Sequence, residues 1–238
     1  MNRTIVGVIW DMGGILHPTP FELLAEIEAA HGLAPGSLPR GPFAPGGDPE
    51  YDAVRRGELE EPEYYRRFGA RLRAAGLAVD LRSIIDWTGR DRPEVVAAMR
   101  RLGRRYRQAI LTNDASHWLG PGWHATWWLR DAFAAIVDSA EVGVRKPAPA
   151  IYRRCAAALG LPPEACLFID DLPVNVAGAS AVGMEGFWFD IADPRGSIRR
   201  LLDRLDPPAG PGPWADGEGG TVPGRIAAEA IEEGGRER

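Results

Sequence analysis

A short apolar run near the start of the chain ends at an aspartate, and this junction constrains the fold more than any other stretch. Residues 5–10 read Ile-Val-Gly-Val-Ile-Trp, and Asp11 follows directly. Near-continuous hydrophobicity is typical of a parallel strand that is covered on both faces. Ligands of open α/β sheets bind at the carboxyl ends of the strands. The junction therefore predicts a buried strand over 5–10 with Asp11 at a binding edge, although a strand followed by an ordinary turn has the same pattern.

From Arg92 onward, strand-like and helix-like patterns alternate. We predict strands over 108–111, 135–137, 166–169 and 186–189, and helices over 93–102, 147–159 and 174–182. This alternation is typical of an α/β fold with a doubly wound, Rossmann-like parallel sheet.

The residues between the first strand and Arg92 lack this alternation of strand-like and helix-like patterns. Helical spacing predicts helices over 21–30, 51–56 and 63–75 and a short one over 83–87, whereas the proline- and glycine-rich residues 34–49 predict a loop. We therefore predict a core of residues 1–16 and 89–206, an inserted small α-helical cap over 17–88, and a disordered tail over 207–238. Residues 225–233 of that tail have a weak helical pattern.

Composition excludes several classes of partner. The 238 residues have a net charge of −5, so the chain lacks the basic surface that nucleic acid or an anionic membrane requires. No apolar run approaches the roughly 20 residues of a transmembrane helix. Cys155 and Cys166 are too few for a disulfide framework and fit small buried residues. We expect a cytoplasmic monomer or homodimer that binds neither nucleic acid nor membrane.

Polar residues follow three of the predicted strands. Asp11 follows the first, Thr112 and Asn113 follow the second, and Asp170 and Asp171 follow a later one. In a parallel sheet these residues meet at one edge. Lys146, the only lysine among 28 basic residues, precedes a predicted helix start near the same edge. Chance placement explains this set poorly.

The charges of this set indicate a chemistry. Three neighbouring carboxylates repel one another, and a divalent cation relieves that repulsion. Oxygen ligands without histidine or cysteine favour Mg²⁺. A cation, the ammonium of Lys146, the hydroxyl of Thr112 and the amide of Asn113 can together bind a phosphoryl group. One carboxylate can then act as nucleophile and form an aspartyl-phosphate that water hydrolyses.

These motifs resemble those of the haloacid dehalogenase-like (HAD) hydrolase superfamily over residues 4–190. The matching segments, in chain order, are Asp11-Met12-Gly13-Gly14-Ile15-Leu16, Leu111-Thr112-Asn113, Arg145-Lys146-Pro147, and Phe168-Ile169-Asp170-Asp171 with Asn175, Gly178, Ala179, Gly183 and Met184. The inserted helices are similar to the small cap of the sugar-phosphate phosphatase-like group. A small phosphorylated metabolite is the substrate that this resemblance implies.

The resemblance also implies roles for individual residues. Asp11 corresponds to the nucleophile, and Thr112, Asn113 and Lys146 to the phosphoryl-binding groups. The implied Mg²⁺ ligands are Asp11, the backbone carbonyl of Gly13, Asp170, and Asp171 either directly or through water. Asn175 corresponds to a residue that supports the loop or the helix start.

One position departs from the family pattern. Most phosphatases of the family have an aspartate two residues after the nucleophile as general acid and base, and this chain has Gly13 there. General acid–base catalysis contributes about 10²–10⁴-fold to a rate. The departure predicts slow turnover, a substrate with a good leaving group, or a substitute acid, for which His17, Asp114 and His117 are candidates.

Two other readings stay open at this point. A metal-independent 2-haloacid dehalogenase uses the same nucleophile on carbon, and a degenerate family member would bind ligands without turnover. Four tryptophans within residues 118–128 form either a substrate wall, an oligomer contact or, in the interpretation we prefer, core packing against the cap.

Overall fold

The computed structural model describes residues 4–77, 80 and 85–206, and a parallel sheet lies at its centre. The five strands are β1 (Gly7–Trp10), β2 (Arg107–Thr112), β3 (Ala135–Asp138), β4 (Cys166–Asp170) and β5 (Glu185–Trp188). Their order across the sheet is β3-β2-β1-β4-β5, and all neighbours are parallel. The first strand therefore lies in the middle, as its apolar sequence requires.

Helices flank and interrupt the sheet. They are α1 (Leu24–Ala30), α2 (Pro49–Arg56), α3 (Glu61–Ala74), α4 (Pro93–Leu102), α5 (Ala115–Leu119), α6 (Ser139–Val142), α7 (Pro149–Ala158), α8 (Pro173–Ala181) and α9 (Pro194–Leu205). Short 3₁₀ turns occur at Pro20–Leu23, Gly41–Phe43, Trp123–Ala125, Arg130–Ala132 and Pro163–Ala165. None of the helices in these ranges is long and apolar enough to cross a membrane.

Both faces of the central strands β1, β2 and β4 are buried. Alternate residues of the central strands point to opposite sides, so Trp10 packs into one apolar cluster and Ile9 into the other. Helices α4 and α9 cover the first side, and α7 and α8 cover the second. This arrangement confirms the predicted α/β fold with a doubly wound parallel sheet, and it explains the absence of polar alternation in residues 5–10.

Helices α1–α3 belong to the insertion between β1 and β2. We call residues 17–77 the inserted helical segment. It has its own apolar cluster, in which Phe21 stands edge-on to Tyr51, Tyr64 and Phe68. Local signals define its helices: the Asp48 side chain accepts a 3.1 Å bond from the Glu50 amide to cap α2, and Gly57 ends α2 at φ 74°.

Several element boundaries differ from the sequence prediction. The first strand begins at Gly7 rather than Ile5, although the Val6 amide still donates to the Ala165 carbonyl at 2.8 Å. The predicted helix over 21–30 divides into a 3₁₀ turn and α1, and the helix predicted from Pro147 begins at Pro149. Strand β5 lies one residue earlier than predicted. These shifts are the fraying expected at element ends.

Three helices were not predicted at all. The short α5 and α6 have too few residues for a periodic signal. Helix α9 did have a start signal, because Asp193 caps it through a 3.0 Å bond from the Gly196 amide and Pro194 occupies its first position.

Two predictions fall wholly or partly outside the described residues. The predicted disordered tail over 207–238 lies outside the described residues. Of the short helix predicted over 83–87, the first two residues also lie outside them, and Ile85–Trp87 form no helix.

Candidate active site

The strand register aligns the predicted site residues at the carboxyl edge. Trp10 pairs with Ile110 on β2 and with Ile169 on β4, so the next residues, Asp11 and Asp170, lie side by side. The Asp11 amide continues the ladder by donating to the Ile169 carbonyl at 2.9 Å. The predicted meeting of these residues at one edge is thus what the parallel register produces.

Lys146 lies between two of the carboxylates. Its ammonium Nζ is 2.8 Å from Asp11 Oδ1 and 2.7 Å from Asp170 Oδ2, and its side chain is 1% exposed. Burial by itself lowers the pKa of Lys146, but the two carboxylates outweigh it and raise that pKa, so the ammonium stays charged. The only lysine of the chain therefore has a specific buried position.

The carboxylates are not fully neutralised by this lysine. Burial raises the pKa of Asp11, Lys146 opposes that rise, and the charge of Asp170 adds to it. Burial likewise raises the pKa of Asp171, and Asp170, Asp11 and Glu61 raise it further. Three acidic groups facing one ammonium form a site that favours an additional cation.

The donor set fits Mg²⁺. Asp11, Asp170 and Asp171 each offer a carboxylate oxygen, and these atoms lie within 4.8 Å of one another. Hard oxygen donors around a buried negative charge are the ligands that Mg²⁺ prefers. The backbone of Gly13 lines the cleft beside them, and its role as a carbonyl ligand stays a prediction.

Asp170 is held by its surroundings. Its Oδ1 accepts bonds from the Leu172 amide at 2.9 Å and from Asn175 Nδ2 at 3.0 Å. The Tyr152 hydroxyl in turn donates to the Asn175 carbonyl at 2.8 Å. Asn175, in the first turn of α8, thus holds the carboxylate of Asp170 at the end of β4, and the sequence had suggested that it supports the loop or the helix start.

Asn113 and Thr112 have different surroundings. The Asn113 amide bonds twice to the backbone of Lys146, accepting from its nitrogen at 3.0 Å and donating to its carbonyl at 3.2 Å. This pair of bonds fixes the loop that presents the lysine. Thr112 is buried at the end of β2 and lines the cleft beside Asp11. Their predicted phosphoryl contacts stay predictions.

Gly13 leaves open space where an acidic side chain was expected. Gly13 is exposed, and a Cβ built on it would meet no atom within 4 Å. Gly14 is different, because it has φ 75° and its Cβ would lie 3.0 Å from the Asp171 carboxylate. Only a glycine fits readily at position 14, whereas a side chain is sterically allowed at position 13.

The substitute acids considered from sequence are poorly suited. His17 lines the cleft, but burial lowers its pKa, and its Nδ1 lies 3.2 Å from Asp91. Asp114 pairs with Arg145 at 3.0 Å, and the side chain of His117 is 61% exposed. Neither Asp114 nor His117 is among the residues that line the cleft in the described part of the chain.

The inserted helical segment closes one side of the cleft through Tyr51 and Glu61. Tyr51 donates to Asp171 Oδ2 at 3.5 Å, and Glu61 at the start of α3 faces the same space. An acidic residue in the first turn of a helix is ordinary, so the sequence contained no signal that would distinguish Glu61.

Aromatic rings form the outer wall of the cleft. Trp118 stands edge-on to Tyr65 at 5.3 Å between ring centroids and to Trp87 at 6.0 Å. Trp123 and Trp127 instead pack into the core beside the sheet, while Trp128 is 57% exposed. The tryptophan-rich stretch therefore divides: one ring packs against the inserted segment and lines the cleft, and two belong to the core.

Comparison with known proteins gives the family. Residues 5–183 match the haloacid dehalogenase-like hydrolase family. The protein belongs to this family of hydrolases, and the resemblance drawn from its motifs is confirmed.

Individual relatives match over limited ranges. Acyl-CoA dehydrogenase family member 10 of Mus musculus is 27% identical over 208 residues, which are 84% of this chain and 19% of the mouse protein. Phosphatase MT3486 of Mycobacterium tuberculosis is 37% identical over 62 residues, which are 26% of this chain and 29% of that protein. The matches thus span less than a third of each relative.

A solved structure has the same fold. The HAD-hydrolase YfnB of Bacillus subtilis, bound to magnesium, has a TM-score of 0.60 at 16% identity and covers 85% of this chain and 99% of its own. At this identity the likeness supports the fold alone.

Proposed function

We propose that the protein is a Mg²⁺-dependent phosphatase that hydrolyses a small phosphorylated metabolite through an aspartyl-phosphate. The observation that supports this most is the buried group of one ammonium and three carboxylates, in which Lys146 bridges Asp11 and Asp170 while Asp171 completes a set of oxygen donors. A structural ion pair would not need the third carboxylate. The family membership and a phosphatase among the relatives agree with this reaction.

The residues have distinct roles in this proposal. Asp11, Asp170, Asp171 and the Gly13 carbonyl would hold Mg²⁺, and bound Mg²⁺ would neutralise charge on the phosphoryl oxygens. Lys146 holds Asp11 in orientation and adds a fixed positive charge beside the phosphoryl group.

The remaining groups complete the phosphoryl site. The Thr112 hydroxyl donates a hydrogen bond to the phosphoryl group, and Asn113 fixes the loop of Lys146.

The nucleophilic step uses the carboxylate of Asp11. One oxygen of Asp11 attacks phosphorus, the bond to the leaving oxygen breaks, and an aspartyl-phosphate results. Water then attacks the same phosphorus and releases phosphate and the free carboxylate. Lys146 stabilises negative charge in both steps without giving up its proton, since its pKa is raised.

The lining of the cleft narrows the class of substrate. Among the described residues that line the cleft or touch Asp11, the buried Lys146 is the only cationic side chain. The wall of the cleft is formed by Tyr51, Tyr65, Trp87 and Trp118. This surface suits a phosphate monoester with an uncharged, partly apolar body better than a substrate with a second anionic group.

The test is a panel of phosphate esters and acyl phosphates assayed for phosphate release with Mg²⁺ and with EDTA. We expect release that EDTA abolishes and that Asp11→Asn reduces below detection, while the surface control Asp203→Asn on α9 leaves it unchanged.

Two results would replace the proposal. Halide release from 2-haloacids that survives EDTA would establish the dehalogenase alternative. Mg²⁺ binding without turnover over the whole panel would establish a binding protein.

A further inference from the structure

The proposed hydrolysis needs a group that supplies and accepts protons. Hydrolysis of an ester with an alkoxide leaving group needs a proton donor at the leaving oxygen, and the following attack of water needs a base. Gly13 supplies neither, and the space beside it is open. If the enzyme hydrolyses unactivated esters, its acid must reach the cleft from another element.

One carboxyl group among the described residues that line the cleft has no role assigned to it so far. Asp11 and Asp171 belong to the carboxylate group already described. Burial lowers the pKa of His17 and so disfavours its cationic form, and its Nδ1 lies 3.2 Å from Asp91 rather than free in the cleft. Burial raises the pKa of Tyr51 well above its usual range, and its hydroxyl already donates to Asp171. Among the described lining residues, Glu61 is then the remaining carboxyl group.

The surroundings of Glu61 suit a group that exchanges a proton. It begins helix α3 on the inserted segment, opposite the sheet edge, and its side chain is 34% exposed. The Arg145 guanidinium lies 4.0 Å from its Oε2 and is closer to Asp114, at 3.0 Å, so Glu61 is not held in a tight ion pair. Burial raises the pKa of Glu61, Lys146 and Arg145 oppose that rise, and Asp170 and Asp114 add to it. The protonated form is therefore more available than in a free glutamate.

We propose that Glu61 is the general acid and base that replaces the missing side chain at Gly13. In the first step, Asp11 attacks phosphorus, the P–O bond to the leaving group breaks, and the leaving oxygen takes the Glu61 proton. In the second step, water attacks phosphorus and gives a proton to Glu61, while the electron pair of the breaking bond returns to the Asp11 carboxylate. The sum is ester plus water giving alcohol plus phosphate, with Glu61 restored. This inference rests on the proposed phosphatase function.

The experiment measures how the rate depends on the leaving group. Values of kcat/KM, which report the step that expels the leaving group, are compared for an alkyl phosphate and for 2,4-dinitrophenyl phosphate, whose leaving group needs no proton. Glu61→Gln should lower kcat/KM for the alkyl phosphate about 10²-fold or more. It should also change the ratio of the kcat/KM values for the two substrates by at least about tenfold. Glu60→Gln, which removes a charge from the neighbouring exposed side chain, should leave the ratio unchanged.

A second variant restores a carboxyl group at position 13. Gly13→Asp supplies a carboxyl from the sheet edge, where the open space accepts it. The factor by which Gly13→Asp raises kcat/KM for the alkyl phosphate should be about tenfold or more larger in the Glu61→Gln background than in the wild type. The reason is that the acid is missing only in the Glu61→Gln background.

The outcomes separate the two proposals. If the wild type releases phosphate but Glu61→Gln lowers both substrates equally or neither, the role of Glu61 is wrong and the phosphatase proposal stands. An equal gain from Gly13→Asp in both backgrounds also overturns the role of Glu61. If the wild type releases no phosphate even from 2,4-dinitrophenyl phosphate, the phosphatase proposal itself fails.

Discussion

Lys146 offers the sharpest test of how the site is held together. Its Nζ makes two contacts of 2.8 and 2.7 Å with buried carboxylates, and its own side chain is 1% exposed. Lys146→Met keeps most of the side-chain volume and removes the charge, so that Asp11 and Asp170 face each other without a cation. The change therefore measures the electrostatic contribution with little effect on packing.

The magnitude follows from the contacts. Each hydrogen bond to a charged group contributes about 1.5–3 kcal/mol, so that two contribute about 3–6 kcal/mol. Removing one partner of a buried ion pair costs about 3–5 kcal/mol. We expect Lys146→Met to lose about 4 kcal/mol of unfolding free energy near pH 7, which corresponds to about 1–2 M in the urea midpoint.

The loss should depend on pH. The pKa of Asp11 is already raised, and removal of Lys146 takes away the interaction that opposes that rise. A carboxyl with a raised pKa stabilises the folded state when protonated, and this stability disappears as pH rises through its folded pKa. The deficit of Lys146→Met should therefore be largest at pH 8 and smaller at pH 5.

The assay is urea unfolding in EDTA at pH 5, 7 and 8, with Arg153→Met on the exposed face of α7 as the matched control. The control should remain within about 0.5 kcal/mol of the wild type. A deficit below about 1 kcal/mol for Lys146→Met, or one that grows as pH falls, would refute the reasoning.

Two further predictions concern stability. Glu28 is buried, which raises its pKa, but hydrogen bonds from two backbone amides and from Arg40 lower that pKa overall. Glu28→Gln should therefore lose about 2–3 kcal/mol of unfolding free energy at pH 7. That deficit should shrink as pH falls through the lowered pKa, as urea unfolding at pH 7 and pH 3 would record. Gly14→Ala should lose about 1–2 kcal/mol or more, because φ is 75° and Asp171 crowds the Cβ, whereas Gly13→Ala should be nearly neutral; equal thermal midpoints for the two variants would contradict this account.

The sheet and the polar residues at its carboxyl edge were predictable because their causes are local. A strand buried on both faces must be apolar at successive positions, and Ile5–Trp10 has that pattern. Parallel strands bring their carboxyl ends to one edge, so Asp11 and Asp170 were expected at that edge once the strands were recognised. Their side-by-side position follows from the pairing of β1 with β4 in the structure. The rarity of lysine in the chain drew attention to Lys146.

Other features depended on distances between remote parts of the chain. Asn113 bonds to the backbone of a residue 33 positions away, and sequence spacing does not indicate that its amide serves the loop of Lys146. The four tryptophans within residues 118–128 looked alike, but one lines the cleft, two pack in the core and one is exposed. Helices α5 and α6 are too short for periodicity to identify.

The sequence by itself determined the fold class, the family and the residues at the carboxyl edge, because hydrophobic periodicity and parallel pairing operate over a few residues and a fixed register. Only the tertiary structure decided which groups face that edge from the inserted helical segment. Glu61 and Tyr51 reach the cleft because α2 and α3 fold back over the sheet. That packing depends on contacts distant in sequence, so the missing acidic side chain at Gly13 is apparent from the sequence, whereas the presence of Glu61 in the same cleft is not.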